Sequence, residues 1–201
     1  MLLNSTFVGW DVRLFSMKSA YQFIFKEYGK DVAKAFLSCA LPAMRSDFFR
    51  VFWALSKGGV YSDITFDPIL IAPEKHITIM TTDQEGRLRN GYFCAKKQCR
   101  ELRSIALEIL ISLSKKEDQN VWSATGPGAF IRAIGNDETH TIHKVSTSSL
   151  LKHDIAPSFY SASTWNGENH WSVKQLHMNI YDNDSNVLKM ERDLARWKRM
   201  E

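Results

Sequence analysis

Only three cysteines occur in the 201 residues, Cys39, Cys94 and Cys99, and an odd number cannot all pair within one chain. No two of them show the paired two-residue spacing of a zinc site. Three reduced thiols, some in the core, are the expectation, and a reducing compartment fits them. No run approaches the eighteen or so apolar residues of a membrane span. The N-terminus, MLLNSTFVGWDVRLF, lacks a basic segment followed by a clean apolar stretch, so no secretory signal is visible. Neither sign of charge dominates. Lys and Arg number 26 against 22 Asp and Glu, a net charge of +4, too little alone to imply a nucleic-acid partner. Internal repeats and low-complexity segments are also missing.

What is there describes a compact chain of one domain's length. Hydrophobic residues make up 44% and charged residues 24%, the balance of a globular protein with a real core. Twelve Phe, six Trp and six Tyr supply large surfaces for burial. The expectation is therefore a soluble, cytoplasmic domain spanning residues 1–201.

Periodicity predicts alternating helices and strands. Val8 to Phe15 alternates loosely and reads as a strand. Ser16 caps a helix carrying Tyr21, Ile24, Phe25 and Tyr28, which Gly29 stops, and a short helix follows from Asp31 to Leu37. The strongest helical signal places Ser46 as a cap before Phe48, Val51, Phe52 and Leu55, with Gly58-Gly59 as the stop. Val60 to Phe66, His76 to Thr81 and Gly91 to Ala95 read as strands. Cys99 to Leu113 reads as a helix, and Thr125-Gly-Pro-Gly opens another that ends near Gly135. Strands and turns are expected from His140 to Tyr160, and a charged helix within Asp182 to Glu201. This alternation predicts an α/β fold whose strand directions the pattern leaves open.

Chemistry concentrates in one stretch. Asp47 and Arg50 lie three residues apart and share a helix face, among Phe48, Phe49, Val51, Phe52 and Trp53. A charged pair in so apolar a helix is either a core ion pair or the wall of a polar cavity. In the following strand Asp63, Thr65 and Asp67 point to one side. A carboxylate at a strand end suits a divalent cation held against phosphate oxygens, since magnesium and manganese prefer hard oxygen ligands and take only one or two from the protein. The alternative is that Asp63 and Asp67 end a strand and start the Asp67-Pro68 turn.

The run S-D-F-F-R-V through L-x-x-G-G-V-Y-x-D, strongest over about Ala43 to Leu70, resembles the sugar-nucleotide-binding region of DXD glycosyltransferases, and most closely glycosyltransferase family 32. Weaker similarity runs from Trp10-Asp-Val-Arg-Leu-Phe through Asn90-Gly-Tyr-Phe-Cys-Ala and Thr125-Gly-Pro to Asn169-His-Trp. The resemblance implies a GT-A-like fold, a Rossmann-like nucleotide-sugar-binding sheet flanked by helices. It also implies transfer of a sugar from a UDP- or GDP-sugar to a hydroxyl of a glycan or lipid-linked acceptor, with retention and divalent-metal assistance, as in polysaccharide biosynthesis. Carried over, Asp47, Arg50 and Asp63 are the catalytic group, with Gly58, Gly59, Tyr61, Thr65 and Lys174 completing the donor site. Asn90, Thr125, Gly126 and Pro127 line the acceptor side. Asp63, Asp67 and His170 hold Mn2+ or Mg2+.

Two departures from the family pattern stand out. Thr65 replaces the second acid of the DXD pair, and Asp67 faces the correct side but lies about 7 Å further along the strand. The opening strand with the pattern I-P-K-x-I-H-x-x-W is missing before Met1, so the chain reads as N-terminally truncated. A Golgi-luminal location is the alternative if the native gene carries an anchor ahead of it. The rival reading of function is a catalytically impaired remnant that binds sugar nucleotides or carbohydrate.

Elsewhere the bland readings are favoured. His76, His140, His143, His153 and His177 show no metal-ligand spacing. Lys96, Lys97, Arg100 and Arg103 read as a solvated helix start. Arg192, Arg196, Lys198 and Arg199 offer peripheral membrane contact as a minor alternative to packing. Trp122 and Trp165 are core or sugar-stacking residues, and Ser163 and Ser172 lack a triad setting.

Overall fold

The computed structural model describes residues 11–63, 78–135, 142–146 and 171–197. Helix α1 (Met17–Ser38) begins at Ser16, whose hydroxyl accepts from the Ser19 amide while the Ser19 hydroxyl accepts from the Ser16 amide. Two orphan N–H groups are thereby satisfied at once. Gly29, at φ +83°, breaks the helical path inside this element, so the two expected helices are present and meet at a kink. The strand expected from Val8 to Phe15 is not formed over its described half, residues 11–15. There Asp11 pairs with Arg13 and Phe15 packs against Phe49, so local contacts replace a ladder.

Helix α2 (Pro42–Lys57) starts four residues before the expected cap at Ser46. Pro42 explains the difference. Its fixed φ suits a first helical position, where an N–H would have no partner. Ser46 therefore lies inside the helix with its side chain free for other work. The apolar face is fully buried at Phe48, Val51 and Ala54. Phe48 and Phe52 stack with ring centroids 4.2 Å apart, and Phe36 of α1 meets Phe48 at 5.7 Å.

Gly58 and Gly59 then turn the chain directly into strand β1 (Gly59–Ser62), at φ +70° and +102°. Gly58 is needed for space as well. A Cβ there would stand 2.7 Å from the Lys97 amide nitrogen. The turn sends β1 back along α2. Eleven residues of helix from Gly58 back to Asp47, and five of strand from Gly58 on to Asp63, each cover about 16 Å. Arithmetic of rise alone thus brings Asp47 level with Asp63.

Strands β2 (Thr78–Thr82) and β3 (Leu88–Ala95) complete an antiparallel core in the order β1-β3-β2, and β4 (Ile142–Ser146) adds to β2 in parallel. The mixture of helices and strands expected from the sequence holds, but the described sheet is mostly antiparallel rather than the parallel sheet of a Rossmann-like arrangement. Ser62 pairs with Tyr92, and the Asp63 amide donates to the Gly91 carbonyl at 2.7 Å. Asn90 therefore sits beside the end of β1.

Helix α3 (Arg100–Lys115) buries Leu102, Ile105, Ile109 and Leu113, the stripe that its periodicity predicts. The short α4 (Val121–Ala124) leads through Thr125 and Gly126 into α5 (Pro127–Ile134), with Pro127 again at a helix start. The one-turn α6 (Trp171–Lys174) precedes α7 (Asp184–Trp197), in which Val187 is buried and Met190 packs on the core. Among the described residues no helix is long and apolar enough to cross a membrane.

Candidate functional site

The charged pair on α2 is buried. Asp47 and Arg50 are each 6% exposed, and the Asp47 Oδ1 to Arg50 Nη2 distance is 3.0 Å. Every nitrogen of the guanidinium faces oxygen. Nε donates to the Ser46 carbonyl at 3.3 Å, and Nη1 to the Asn90 carbonyl at 2.8 Å. Nη2 donates to Ser46 Oγ at 3.1 Å, and Nη1 stands 3.5 Å from Asp63 Oδ1. The guanidinium carbon lies over the Tyr61 ring, 4.4 Å from its centroid, a cation–π contact that arginine makes more often than lysine. Burial opposes the Arg50 charge, but Asp47, Tyr61 and Asp63 outweigh it and leave its pKa raised.

The Asp47 carboxylate is held from three sides. Asn90 Nδ2 donates to Oδ1 at 2.8 Å, the Thr125 hydroxyl donates to Oδ2 at 3.3 Å, and Arg50 supplies the ion pair. Burial nonetheless pushes the carboxyl up to about 6. Arg50, Asn90 and Thr125 pull the other way, and the neighbouring Asp63 adds to the rise. Desolvation wins because the group has lost nearly all its water. A carboxyl displaced this far, in contact with a specific charge partner, is what functional sites collect.

Asp63 is the open end of the cluster. Its side chain is 37% exposed. Its Oδ1 accepts from the Tyr61 hydroxyl at 2.6 Å, and the Tyr61 hydroxyl lies 3.4 Å from Ser46 Oγ. Burial, with Asp63 adding to it against Arg50, pushes the Tyr61 phenol well above its ordinary range. Tyr61 is therefore a neutral donor at physiological pH.

Of the residues expected at the site, Asp47, Arg50, Tyr61, Asp63, Asn90 and Thr125 form one connected group. Asn90 and Thr125, expected on an acceptor side, are bonded to Asp47 itself. Gly58 and Gly59 make the turn that sets the register, and Gly126 and Pro127 form the start of α5 just beyond Thr125. Lys174 is not brought into the group; it is exposed on α6. Thr65, Asp67 and His170 lie outside the described residues, as do His76, His140, His153, Ser163 and Trp165. Ser46 was missed as a member. Its spacing was the available signal, since residues 46 and 50 are four apart and share a helix face.

Among the described residues no three His, Cys, Asp or Glu side chains are placed to hold a metal ion. Asp47 has its oxygens engaged and is shielded. Asp63 offers a hard, partly exposed oxygen, which fits a cation whose other ligands are phosphates and water. Comparison with protein-family models, with curated proteins and with solved structures returns no match.

Proposed function

We propose that the chain is a glycosyltransferase with a GT-A-like fold, similar to family 32, which moves a sugar from a nucleotide-diphosphate donor to a hydroxyl acceptor. The observation that carries this reading is the joining of Asp47, Arg50 and Asp63, from a helix and the following strand, into one network with a buried and an exposed end. The exposed end suits the diphosphate. The buried end suits the sugar.

In the proposed reaction the acceptor oxygen bonds to the anomeric carbon and gives its proton to the departing diphosphate oxygen, while the glycosidic C–O electron pair leaves with that diphosphate. Negative charge therefore grows on the leaving group, and stabilising it is the main electrostatic task. Arg50 Nη1, shared between a strong contact to Asn90 and a longer one to Asp63, is the edge that turns to a phosphate oxygen. Asp63 would hold Mn2+ or Mg2+, joined by Asp67 and His170, and that cation would offset diphosphate charge. A carboxylate has about four acceptor positions. Arg50, Asn90 and Thr125 occupy three at Asp47, and a donor-sugar hydroxyl fills the fourth.

A binding module without turnover is the second reading, favoured by Thr65 in place of an acid. One lost charge-stabilising group costs about 10²–10³ in rate, which turns a fast enzyme into a slow one. The test is incubation with a panel of UDP- and GDP-sugars and Mn2+, with release of the nucleoside diphosphate as readout. Release from at least one donor supports the transferase. Saturable binding with no release supports the module, and neither binding nor release sinks both.

A further inference from the structure

Ser46 belongs to a closed circuit. Arg50 Nη2 donates to Ser46 Oγ at 3.1 Å. Ser46 Oγ lies 3.4 Å from the Tyr61 hydroxyl, which sits 2.6 Å from Asp63 Oδ1. Asp63 Oδ1 faces Arg50 Nη1 at 3.5 Å, returning to the starting residue. The direction of the middle link follows from proton inventory. Tyr61 has a single O–H, and the carboxylate can only accept, so that proton goes to Asp63. Ser46 must then donate to Tyr61, and its own lone pairs are left to receive Arg50. From the guanidinium through Ser46 and Tyr61 to the carboxylate every donor points the same way, and the ion pair between Arg50 Nη1 and Asp63 Oδ1 closes the circuit. Bonds arranged head to tail polarise one another, so the set is stronger than its separate members.

We infer that Ser46 is a positioning residue: it joins Arg50 to Tyr61 in a ring, Arg50–Ser46–Tyr61–Asp63, of three head-to-tail hydrogen bonds closed by one ion pair, that fixes the Arg50 guanidinium and the Asp63 carboxylate relative to each other. Its part in sugar transfer rests on the proposed function, whereas the ring itself does not. Ser46 lies within α2, where its backbone is already committed. Its side chain adds nothing to the helix, since a serine in a helix interior is no better than neutral. The hydroxyl earns its place only through Arg50 and Tyr61. Arg50 also lies over the Tyr61 ring, so opening the ring of contacts frees the guanidinium to slide while the ion pair to Asp47 persists.

The test reads the Arg50 Nη2–H signal by nitrogen-15 NMR, assigned through its loss in Arg50→Lys, since that group makes the bond to Ser46 Oγ. Ser46→Ala and Tyr61→Phe each open the ring and should each speed exchange of that proton on the order of tenfold, the scale of one hydrogen bond to a charged group. The double variant should be no faster than either single one, because a ring opens only once. Ser46→Thr keeps the hydroxyl and should exchange as the wild type does. Should Ser46→Ala fail to fold, Tyr61→Phe opens the same ring from its other side. Unchanged exchange in the single variants, or effects that multiply in the double variant, would overturn the inference. Titration of the same samples with UDP- and GDP-sugars plus Mn2+ separates the two claims. If the wild type binds no donor, the proposed function fails, and the exchange rates still decide the ring.

Discussion

Asp47→Asn distinguishes a structural ion pair from a site held at a cost in stability. The variant keeps the shape and nearly the whole hydrogen-bond inventory. An amide oxygen still accepts from Asn90 and Arg50, and the amide nitrogen can donate to the Thr125 hydroxyl, which accepts as readily as it donates. What changes is the charge. The folded-state pKa of Asp47 is raised from 3.8 to about 6, so between about pH 4 and pH 6 the folded chain binds a proton that the unfolded chain releases. Stability from this group therefore falls as pH rises through that window, and the full cost applies above it. At about 1.4 kcal/mol per pH unit, the cost is about 3 kcal/mol. Urea denaturation at pH 7.5 should find Asp47→Asn more stable than the wild type by up to about 3 kcal/mol. The gap should close as pH is lowered toward 4, because the wild type then carries its own proton. Other carboxylates titrate in both proteins, so the difference isolates position 47. Donor turnover should be lost in the same variant, a familiar trade at functional sites. A variant less stable than the wild type at pH 7.5 would refute the reasoning: the carboxylate would then be favoured by the fold, and the pair would be a structural tie.

Three further outcomes are expected. Asp63→Ala should abolish donor-sugar turnover by removing the partly exposed acid, and full activity in that variant would discard the assignment. Thr65→Asp should strengthen manganese dependence, whereas an unchanged metal titration would show that position 65 does not face the cation. Gly58→Ala should lower the stability by about 2 kcal/mol or more, since a Cβ at φ +70° meets Lys97 N at 2.7 Å and Ala95 O at 3.2 Å. An unshifted urea midpoint would mean that the turn tolerates a side chain.

The parts of the molecule legible in the sequence are those that local chemistry decides. Ser16 and Gly29 act as predicted, and the apolar stripe of α3 is buried as its spacing requires. Gly58-Gly59 ends α2 where expected, and this one turn explains why the grouping of residues 47, 50 and 63 is legible in the sequence. The start of α2 was misplaced because Ser46 is a good cap by type. Pro42 outranked it, and the serine hydroxyl went to the site instead. The strand expected from Val8 to Phe15 is not formed over the described residues 11–15, where loose alternation in so short a run finds no pairing strand among the described residues. Strand order was not legible, since pairing partners such as β1 and β3 are chosen by the whole sheet. The same holds for Asn90 and Thr125. Only the tertiary fold shows that both face the Asp47 carboxylate.

Isothermal titration of the wild type with UDP- and GDP-sugars, with and without Mn2+, tests most directly whether the joined Asp47–Arg50–Asp63 group receives a sugar diphosphate. Saturable, manganese-enhanced binding of at least one donor, lost in Asp63→Ala, is the predicted result. Heats of dilution alone for every donor, with a folded protein in the cell, would contradict it.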